Sequence, residues 1–189
     1  MDWMNGVDIK LNNCWKIIDR KNFVPDPIND NWKINKPILI GENQTTSQPT
    51  LISEMLKHMD IYEIIKKKKN NPNYKIRVLD IGSGSGIVSA LIACLIGKGN
   101  SVLGIDLYKK LVDDSKKNVN KIEKQYFKNF AKIEFEQMNA YDLFNKKIKE
   151  NKKYDLIYVG AEPKKEEDIV KFKEGVPKLL KKGGIALGP

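Results

Sequence analysis

The feature that most constrains the fold of this chain is residues 78–86, which read VLDIGSGSG. An apolar strand carries an acid at Asp80 and then opens into glycines at positions 82, 84 and 86. Residues 87–96 are almost entirely apolar and predict a helix directly after the loop. Glycine allows positive φ angles and a close approach of ligand to backbone, and a helix N-terminus attracts anionic groups. The segment therefore predicts the ligand-binding loop of a Rossmann-like α/β fold.

Strand and helix patterns alternate from this loop onward. We predict strands at 77–81, 102–105, 132–136, 155–159 and 185–187, and helices at 87–96, 109–125 and 170–180. The last helix is expected to end at the glycines of 182–184. Residues 155–159 are apolar within their core, which is typical of a strand buried on both faces. The alternation predicts a doubly wound, mostly parallel sheet.

The residues before the sheet predict an N-terminal lobe. Residues 1–36 have a mixed pattern broken by prolines and predict irregular structure, while 37–41 predict a short extended piece. Residues 49–59 have helical apolar spacing, with Pro49 suited to the first turn. Residues 66–73 (KKKKNNPN) predict a solvated loop. We expect a single domain over 1–189, with the lobe and active-site segment in 1–60 and a cofactor-binding sheet in 74–189.

Composition limits the range of functions. No stretch is long and apolar enough for a membrane span and no leader pattern is visible, so a cytoplasmic protein is expected. The formal net charge of +10 would favour nucleic acid, but Arg20 and Arg77 are the only arginines among 34 basic residues. Lysines interleaved with asparagines indicate a general compositional bias instead. Nucleic acid is therefore an unlikely partner.

Cysteine and histidine are scarce. Cys14 and Cys94 show neither CxxC nor Cys/His spacing, so we expect two inert packing residues and neither a disulfide nor a zinc site. His58 is the only histidine, which excludes a multi-histidine metal site, and its neighbours indicate a surface position.

Asp106 points to the kind of cofactor. It ends the second predicted strand, where an acid can bind ribose hydroxyls, as in both NAD and S-adenosylmethionine enzymes. A dinucleotide fingerprint would require glycine at position 87, which is Ile87. Asp80 suits a cationic amine better than a pyrophosphate. The pattern favours S-adenosylmethionine over a dinucleotide, and over glycines that merely turn a strand into a helix.

Several further segments occur in a characteristic order. They are 19–25 (DRKNFVP), 40–49 (IGENQTTSQP), the glycine loop, 104–106 (GID), 154–161 (YDLIYVGA) and 179–184 (LLKKGG). From about residue 19 onward the chain resembles the protein-L-isoaspartate (D-aspartate) O-methyltransferases. The segment Gln-Thr-x-Ser-x-Pro is the most specific element, since the loop and Asp106 are shared by many methyltransferases.

The resemblance implies a reaction and its site. Methyl would pass from S-adenosyl-L-methionine to the free α-carboxylate of L-isoaspartyl residues in damaged proteins, leaving S-adenosyl-L-homocysteine. Ser47 is the implied active-site residue; without the resemblance, it and its threonine neighbours would be ordinary turn and capping residues. The implied donor-binding residues are Gln44, Thr45, Thr46, Ser47, Asp80, Gly82, Ser83, Gly84, Ser85, Gly86, Asp106, Leu107, Asn139 and Ala140.

The chain departs from the family pattern in three places. Glu162 replaces an alanine near the expected anionic substrate, and Asn139 stands where an acid is common. The chain also stops at Pro189, so the sheet is expected to be shortened at its C-terminus, while 164–168 look inserted. A shortened sheet would expose an edge for self-association. These departures leave as the alternative a catalytically weak or inactive, donor-binding homologue that acts through protein interactions; an RNA methyltransferase is suggested by charge alone.

Overall fold

The structure is a computed structural model that describes residues 8–25, 30–145, 152–161, 163 and 165–188. Glu162, Pro189 and part of the expected insert therefore lie outside the described residues. The helices are α1 Ile9–Ile17, α2 Pro49–His58, α3 Ile61–Asn70, α4 Ile87–Ile96, α5 Lys109–Val119, α6 Lys124–Phe127, α7 Ala140–Asn145 and α8 Glu166–Leu179, with 3₁₀ helices at Arg20–Phe23 and Asn31–Lys33. The strands are β1 Ile38–Gly41, β2 Gln44–Thr46, β3 Arg77–Ile81, β4 Ser101–Asp106, β5 Lys132–Gln137, β6 Tyr154–Val159 and β7 Leu180–Leu187.

Five of the strands form one parallel sheet in the order β5-β4-β3-β6-β7. Leu79 in β3 pairs with Leu103 on one side and Ile157 on the other. The chain adds β4 and β5 on one side of β3 and then crosses to add β6 and β7 on the other. Ligands bind where the strand order reverses in this way, beyond the carboxyl ends of the strands. The doubly wound α/β fold predicted from the sequence is confirmed.

Burial explains why the central elements were predictable. Every residue of β6 is buried, as expected for a parallel strand covered on both faces, and α4 is buried along almost its whole length. The bounds of β3 and α4 match the prediction because glycines separate two long apolar runs. His58 lies at the exposed end of α2, as predicted.

The lobe before the sheet is more regular than predicted. Residues 9–17 form α1, whose N-cap Asp8 accepts hydrogen bonds from two backbone amides of the first turn. The polar segment after Gly41 forms a hairpin, because Glu42 and Asn43 adopt positive φ and return the chain as β2. Within the stretches that the structure describes, no helix is both long and apolar enough to span a bilayer.

The expectation for the two cysteines was wrong, because the structure joins Cys14 to Cys94 in a disulfide. The two residues are 80 positions apart in sequence, but α1 packs on α4 and brings their Cα atoms to 5.9 Å. Spacing along the chain carries no information about this packing, so the pairing could not be inferred from a search for CxxC motifs.

Four predicted elements also had wrong boundaries. The lysine run of the expected 66–73 loop lies largely in α3, since lysine is a good helix former and Ile61 and Ile64 anchor its other face. The long helix expected over 109–125 ends at Val119 and is followed by the short α6. Helix α8 begins earlier than predicted, with acids favourable to a helix N-terminus in its first turn, and ends at Leu179. Strand β7 therefore starts before the glycines, which lie at an irregularity in its pairing with β6.

A polar cluster lies at the amino ends of the strands, opposite the glycine loop. Asp155 in β6 is buried and accepts hydrogen bonds from the Tyr74 hydroxyl, the Arg77 backbone N–H (2.7 Å) and the Lys181 ammonium (2.8 Å). Burial, followed by the hydrogen bond to this carboxylate, raises the pKa of Tyr74 to about 12. The cluster ties β3, β6 and β7 together away from the predicted site.

Candidate functional site

The glycine loop has the tight geometry predicted for it. Gly82 has a φ of +78°, and a Cβ there would lie 2.8 Å from the backbone nitrogen of Ala161 at the end of β6. Gly84 has a φ of +53°, and a Cβ there would lie 2.9 Å from Ile40 in β1. These distances are shorter than real Cβ contacts, and L side chains rarely adopt the φ angles. Both positions therefore require glycine, and the loop lies between β6 and the hairpin.

Asp106 is held against the loop. The backbone amides of Gly82 and Ser83 donate to the Ile105 carbonyl at 2.8 and 3.0 Å. The Gly84 amide donates to Asp106 Oδ2 at 2.9 Å, and the Tyr108 amide donates to Oδ1 at 3.1 Å. Asp106 is only 7% exposed. Since a carboxylate can accept about four hydrogen bonds, each oxygen keeps acceptor capacity for a ligand hydroxyl.

Asp80 is the most deeply buried acid of the loop, at 1% exposure. The Ser89 hydroxyl donates to its Oδ2 at 2.5 Å, whereas the buried Oδ1 has no hydrogen-bond partner among the residues that the structure describes. Burial raises the pKa of Asp80 to about 7; the Ser89 hydrogen bond opposes this rise, and the nearby Asp106 charge adds to it. An unsatisfied carboxylate oxygen is costly, and a ligand ammonium group would satisfy it.

Two loop serines have buried hydroxyls whose hydrogen bonding is incomplete. Within the described part of the chain, the side-chain oxygens of Ser83 and Ser85 neither accept nor donate a hydrogen bond. Ser85 lines a cavity of about 330 Å³ whose other walls are Phe23, Val24, Pro25, Ile40, Lys110, Leu111, Asp114, Lys117, Asn118 and Lys121. The loop thus presents several polar atoms whose hydrogen bonding is incomplete, which fits a polar ligand.

The residues that follow β5 lie next to Asp106, at the end of β4. The Met138 amide donates to the Asp106 carbonyl at 2.9 Å, so the predicted adenine-flanking residues follow directly beside this acid. Asn139 Oδ1 accepts from the Tyr141 amide at 3.0 Å and caps α7, which begins at Ala140. Leu107 is 56% exposed and offers an apolar surface at the same edge.

The hairpin carries the predicted active-site segment. Gln44, Thr45 and Thr46 form β2, where the Gln44 side chain donates to the Glu42 carbonyl at 3.2 Å and Thr46 is buried. Ser47 lies between β2 and α2, with its carbonyl bonded to the Arg20 guanidinium. On the paired strand of the hairpin, Ile40 lies against Gly84 of the glycine loop.

Sequence reasoning missed three residues that build the site. Arg20 binds backbone carbonyls around the hairpin, Ile40 abuts the glycine loop, and Ser89 donates to Asp80. Two of these had a detectable signal. Arg20 is one of two arginines in a lysine-rich chain, and Ser89 is a hydroxyl inside an otherwise apolar helix.

The sheet order, the glycine loop after β3 and the acid that ends β4 fit the Rossmann-like class of S-adenosylmethionine-dependent methyltransferases, and a matching family model places the chain in that class. A family model for protein-L-isoaspartate(D-aspartate) O-methyltransferase (PCMT) matches residues 5–186. The chain belongs to this family, as the ordered motifs predicted.

Individual relatives agree with this assignment. Protein-L-isoaspartate O-methyltransferase 2 of Arabidopsis thaliana is 33% identical over 144 residues, which cover 76% of this chain and 42% of that protein. The Caenorhabditis elegans protein-L-isoaspartate O-methyltransferase is 29% identical over 168 residues, covering 87% of this chain and 61% of that protein. The corresponding Fervidobacterium nodosum protein is 29% identical over 115 residues, 61% of this chain and 52% of its own length. The chain spans about half the length of the curated relatives it matches.

A solved structure has the same fold. It is described as a protein-L-isoaspartate O-methyltransferase from Plasmodium falciparum in complex with S-adenosyl-L-homocysteine. The TM-score is 0.74 at 24% identity, over 96% of this chain and 76% of that chain. At this identity the likeness establishes the fold.

Proposed function

We propose that the protein is a protein-L-isoaspartate O-methyltransferase acting on damaged proteins. Methyl would pass from S-adenosyl-L-methionine to the free α-carboxylate of an L-isoaspartyl residue. The observation that carries this proposal is the family match over residues 5–186, which includes the Gln44–Pro49 signature upstream of the glycine loop in the sequence.

The loop residues suit the donor's polar parts. Asp80 has a buried oxygen ready for an ammonium group, and the Ser83 hydroxyl can donate to a carboxylate. Asp106 has acceptor capacity left for ribose hydroxyls, while Leu107, Asn139 and Ala140 lie at the edge proposed for the adenine. The donor would supply a methyl group activated by a sulfonium.

The proposed acceptor needs no general base. A free α-carboxyl group has a pKa of about 3.3 to 3.7 and is an anion at neutral pH. One carboxylate oxygen attacks the methyl carbon while the carbon–sulfur bond breaks and sulfur keeps its electron pair. The products are a neutral methyl ester and S-adenosyl-L-homocysteine. The backbone amide nitrogen of the following residue can then attack the ester carbonyl and expel methanol, which takes up the amide proton. Hydrolysis of the resulting succinimide returns part of the material to a normal aspartyl linkage.

The chain's residues would orient the reactants and exclude water. In this proposal the hydroxyl groups of Thr45 and Ser47 and the side-chain amide of Gln48 would hold a carboxylate in line with the methyl group. The sparing use of titratable side chains in this segment agrees with a reaction that moves no proton.

Methyl transfer to a defined peptide tests the proposal. Radiolabelled S-adenosylmethionine is incubated with an isoaspartyl peptide and with the same peptide containing normal aspartate. Label should enter the isoaspartyl peptide alone. Equal labelling of both peptides would refute the proposed substrate.

The alternative is a homologue that binds the donor without turnover. It is favoured by the departure at Glu162 from the family's alanine. Calorimetry showing S-adenosylhomocysteine binding, together with no labelling of the isoaspartyl peptide, would favour this alternative over catalysis.

The proposal also covers self-association, RNA binding and cellular location. No strand within the described ranges pairs with the outer side of β7, so we propose that this edge can support self-association. Light scattering across a concentration series tests self-association, and a constant monomer mass would reject it.

We expect no RNA partner and a cytoplasmic location. Salt-dependent RNA binding would contradict the first expectation, and recovery of the protein outside the cytoplasmic fraction would contradict the second.

A further inference from the structure

The Arg20 side chain is a buried cation held by backbone carbonyls. It is 1% exposed, and its guanidinium donates to the carbonyls of Ile34 and Lys36, each at 2.7 Å. Longer bonds of 3.3 Å reach the carbonyls of Trp32 and Ser47. The charge is therefore compensated by four peptide dipoles, and burial lowers the pKa of Arg20 to about 10.

The four carbonyls belong to two separate segments. Trp32, Ile34 and Lys36 lie in the stretch that leads into β1, whereas Ser47 follows β2. One arm of the guanidinium, Nη2, bonds to Lys36 and Ser47 together and so bridges the two ends of the hairpin. The arginine sets the distance between these segments where the hairpin leaves the lobe.

A second link secures the residues just after Ser47. Asn35 lies in the stretch bound by Arg20, and its Oδ1 accepts from the Thr50 backbone N–H at 3.1 Å. Its Nδ2 donates to the Thr50 hydroxyl at 3.0 Å. Two links therefore join the Ser47 segment to residues 32–36. One is the bond from Arg20 to the Ser47 carbonyl, and the other is the pair of bonds between Asn35 and Thr50.

We propose that Arg20 is a positioning residue that holds the Ser47 segment at the donor-binding loop by bridging residues 32–36 to the Ser47 carbonyl. The proposal rests on the proposed function for its effect on turnover, but the bridging itself is independent of any activity. A planar guanidinium can donate through two arms at once, whereas a lysine ammonium is a point charge that cannot reproduce the fork. Arg20→Lys therefore keeps the charge and removes the bridge.

Amide hydrogen exchange tests the bridge directly. In Arg20→Lys, peptides covering 44–50 should exchange at least about tenfold faster, while those covering 78–86 keep the wild-type rate. Arg77→Lys is the matched control, since Arg77 stacks on Tyr154 at the other end of the sheet and should leave 44–50 unchanged. Wild-type exchange at 44–50 in Arg20→Lys, or equal acceleration throughout the chain, would overturn the proposal.

Kinetics test the consequence for the reaction. In Arg20→Lys, kcat for the isoaspartyl peptide should fall about tenfold or more, while the Kd for S-adenosylhomocysteine changes less than about threefold. A normal kcat, or a loss of donor affinity that matches the loss of kcat, would contradict positioning. If the wild-type protein methylates no isoaspartyl peptide, the proposed function fails, and the exchange result still decides the bridge.

The wild-type protein offers a second measurement if Arg20→Lys does not fold. Because one side chain joins both segments, residues 32–36 and 44–50 should open together, with the same opening free energy and urea dependence. Opening of 44–50 while 32–36 stay protected would show that the bridge does not hold the segment.

Discussion

Asp80 is the acid of the site whose ionisation is most strongly altered by folding. Its folded pKa of about 7 lies well above the ordinary aspartate value of 3.8, chiefly because it is buried. The folded protein therefore binds a proton that the unfolded chain has already released between about pH 4 and 7. By linkage, the Asp80 contribution makes the protein less stable as the pH rises through this window, and the loss is complete above about pH 7.

Asp80→Asn should remove this loss of stability. We expect the free energy of unfolding of the variant, relative to wild type, to increase from pH 4 to 7 by on the order of 3 kcal/mol and then stay level. Urea denaturation across that range measures it. Asp113→Asn is the control: Asp113 is exposed and its hydrogen bond to Lys109 lowers its pKa, so any effect there should have the opposite sign. A pH-independent difference for Asp80→Asn would show that Asp80 does not titrate in this window.

Ser47 should affect turnover more than donor binding. If its hydroxyl orients the carboxylate, Ser47→Ala should lower kcat about tenfold or more and change S-adenosylhomocysteine affinity less than about threefold. Ser47→Thr keeps a hydroxyl and should recover part of the rate. Full turnover by Ser47→Ala would remove this side chain from the proposed reaction.

At the scale of elements, the hairpin depends on which face of β1 packs inward. Ile40 is 4% exposed and lies against the glycine loop, whereas the adjacent Leu39 is 68% exposed. The two neighbours therefore provide a matched pair of apolar truncations with opposite surroundings.

Ile40→Ala should destabilise the protein by about 2 to 4 kcal/mol, because it leaves a cavity between the hairpin and the loop. Leu39→Ala should stay within about 0.5 kcal/mol of wild type. Urea denaturation compares them, and S-adenosylhomocysteine calorimetry should show weaker binding for Ile40→Ala alone. Equal destabilisation by both truncations would mean that the hairpin does not pack on the loop as described.

The elements that the sequence predicted well are those whose local pattern and burial agree. Strand β3 and helix α4 are long apolar runs separated by glycines that must adopt positive φ, so their bounds were readable. Helix α3 was missed because a run of lysines is compatible both with a solvated loop and with the exposed face of a helix. The start of β7 was missed because an irregular pairing tolerates glycines inside a strand.

The candidate site was predictable to a similar extent. The glycines, Asp80 and Asp106 have local signatures, and the structure brings them together. The rarity of arginine marks Arg20 as unusual, but its role could not be assigned, because it binds backbone carbonyls distant in sequence and every residue has a carbonyl. The same limit applies to the disulfide, which depends on how α1 packs on α4.

At the scale of the whole molecule, the Cys14–Cys94 disulfide connects the lobe to the helix that follows the glycine loop. Cross-linking of so long a loop stabilises mainly by restricting the unfolded chain. Cytosolic thiols keep most cysteines reduced, so the predicted cytoplasmic location and this disulfide favour opposite redox states.

Reduction should therefore lower the melting temperature. For a separation of 80 residues the chain-entropy estimate is about 4 kcal/mol, which corresponds to a decrease of about 10 °C. Calorimetry with and without dithiothreitol measures this decrease. A Cys14→Ser/Cys94→Ser variant should have the same melting temperature with and without dithiothreitol. An unchanged melting temperature after complete reduction, verified by alkylation and mass spectrometry, would contradict this role.

The polar cluster around Asp155 offers a position for a spectroscopic probe. It joins three strands at the end of the sheet opposite the glycine loop, and Lys181 belongs to it at partial exposure. A fluorophore or isotopic probe placed at this end would sense loss of the sheet while remaining remote from the ligand. Paired with a second probe on the hairpin, it would separate global unfolding from local opening of the active-site segment in a single titration.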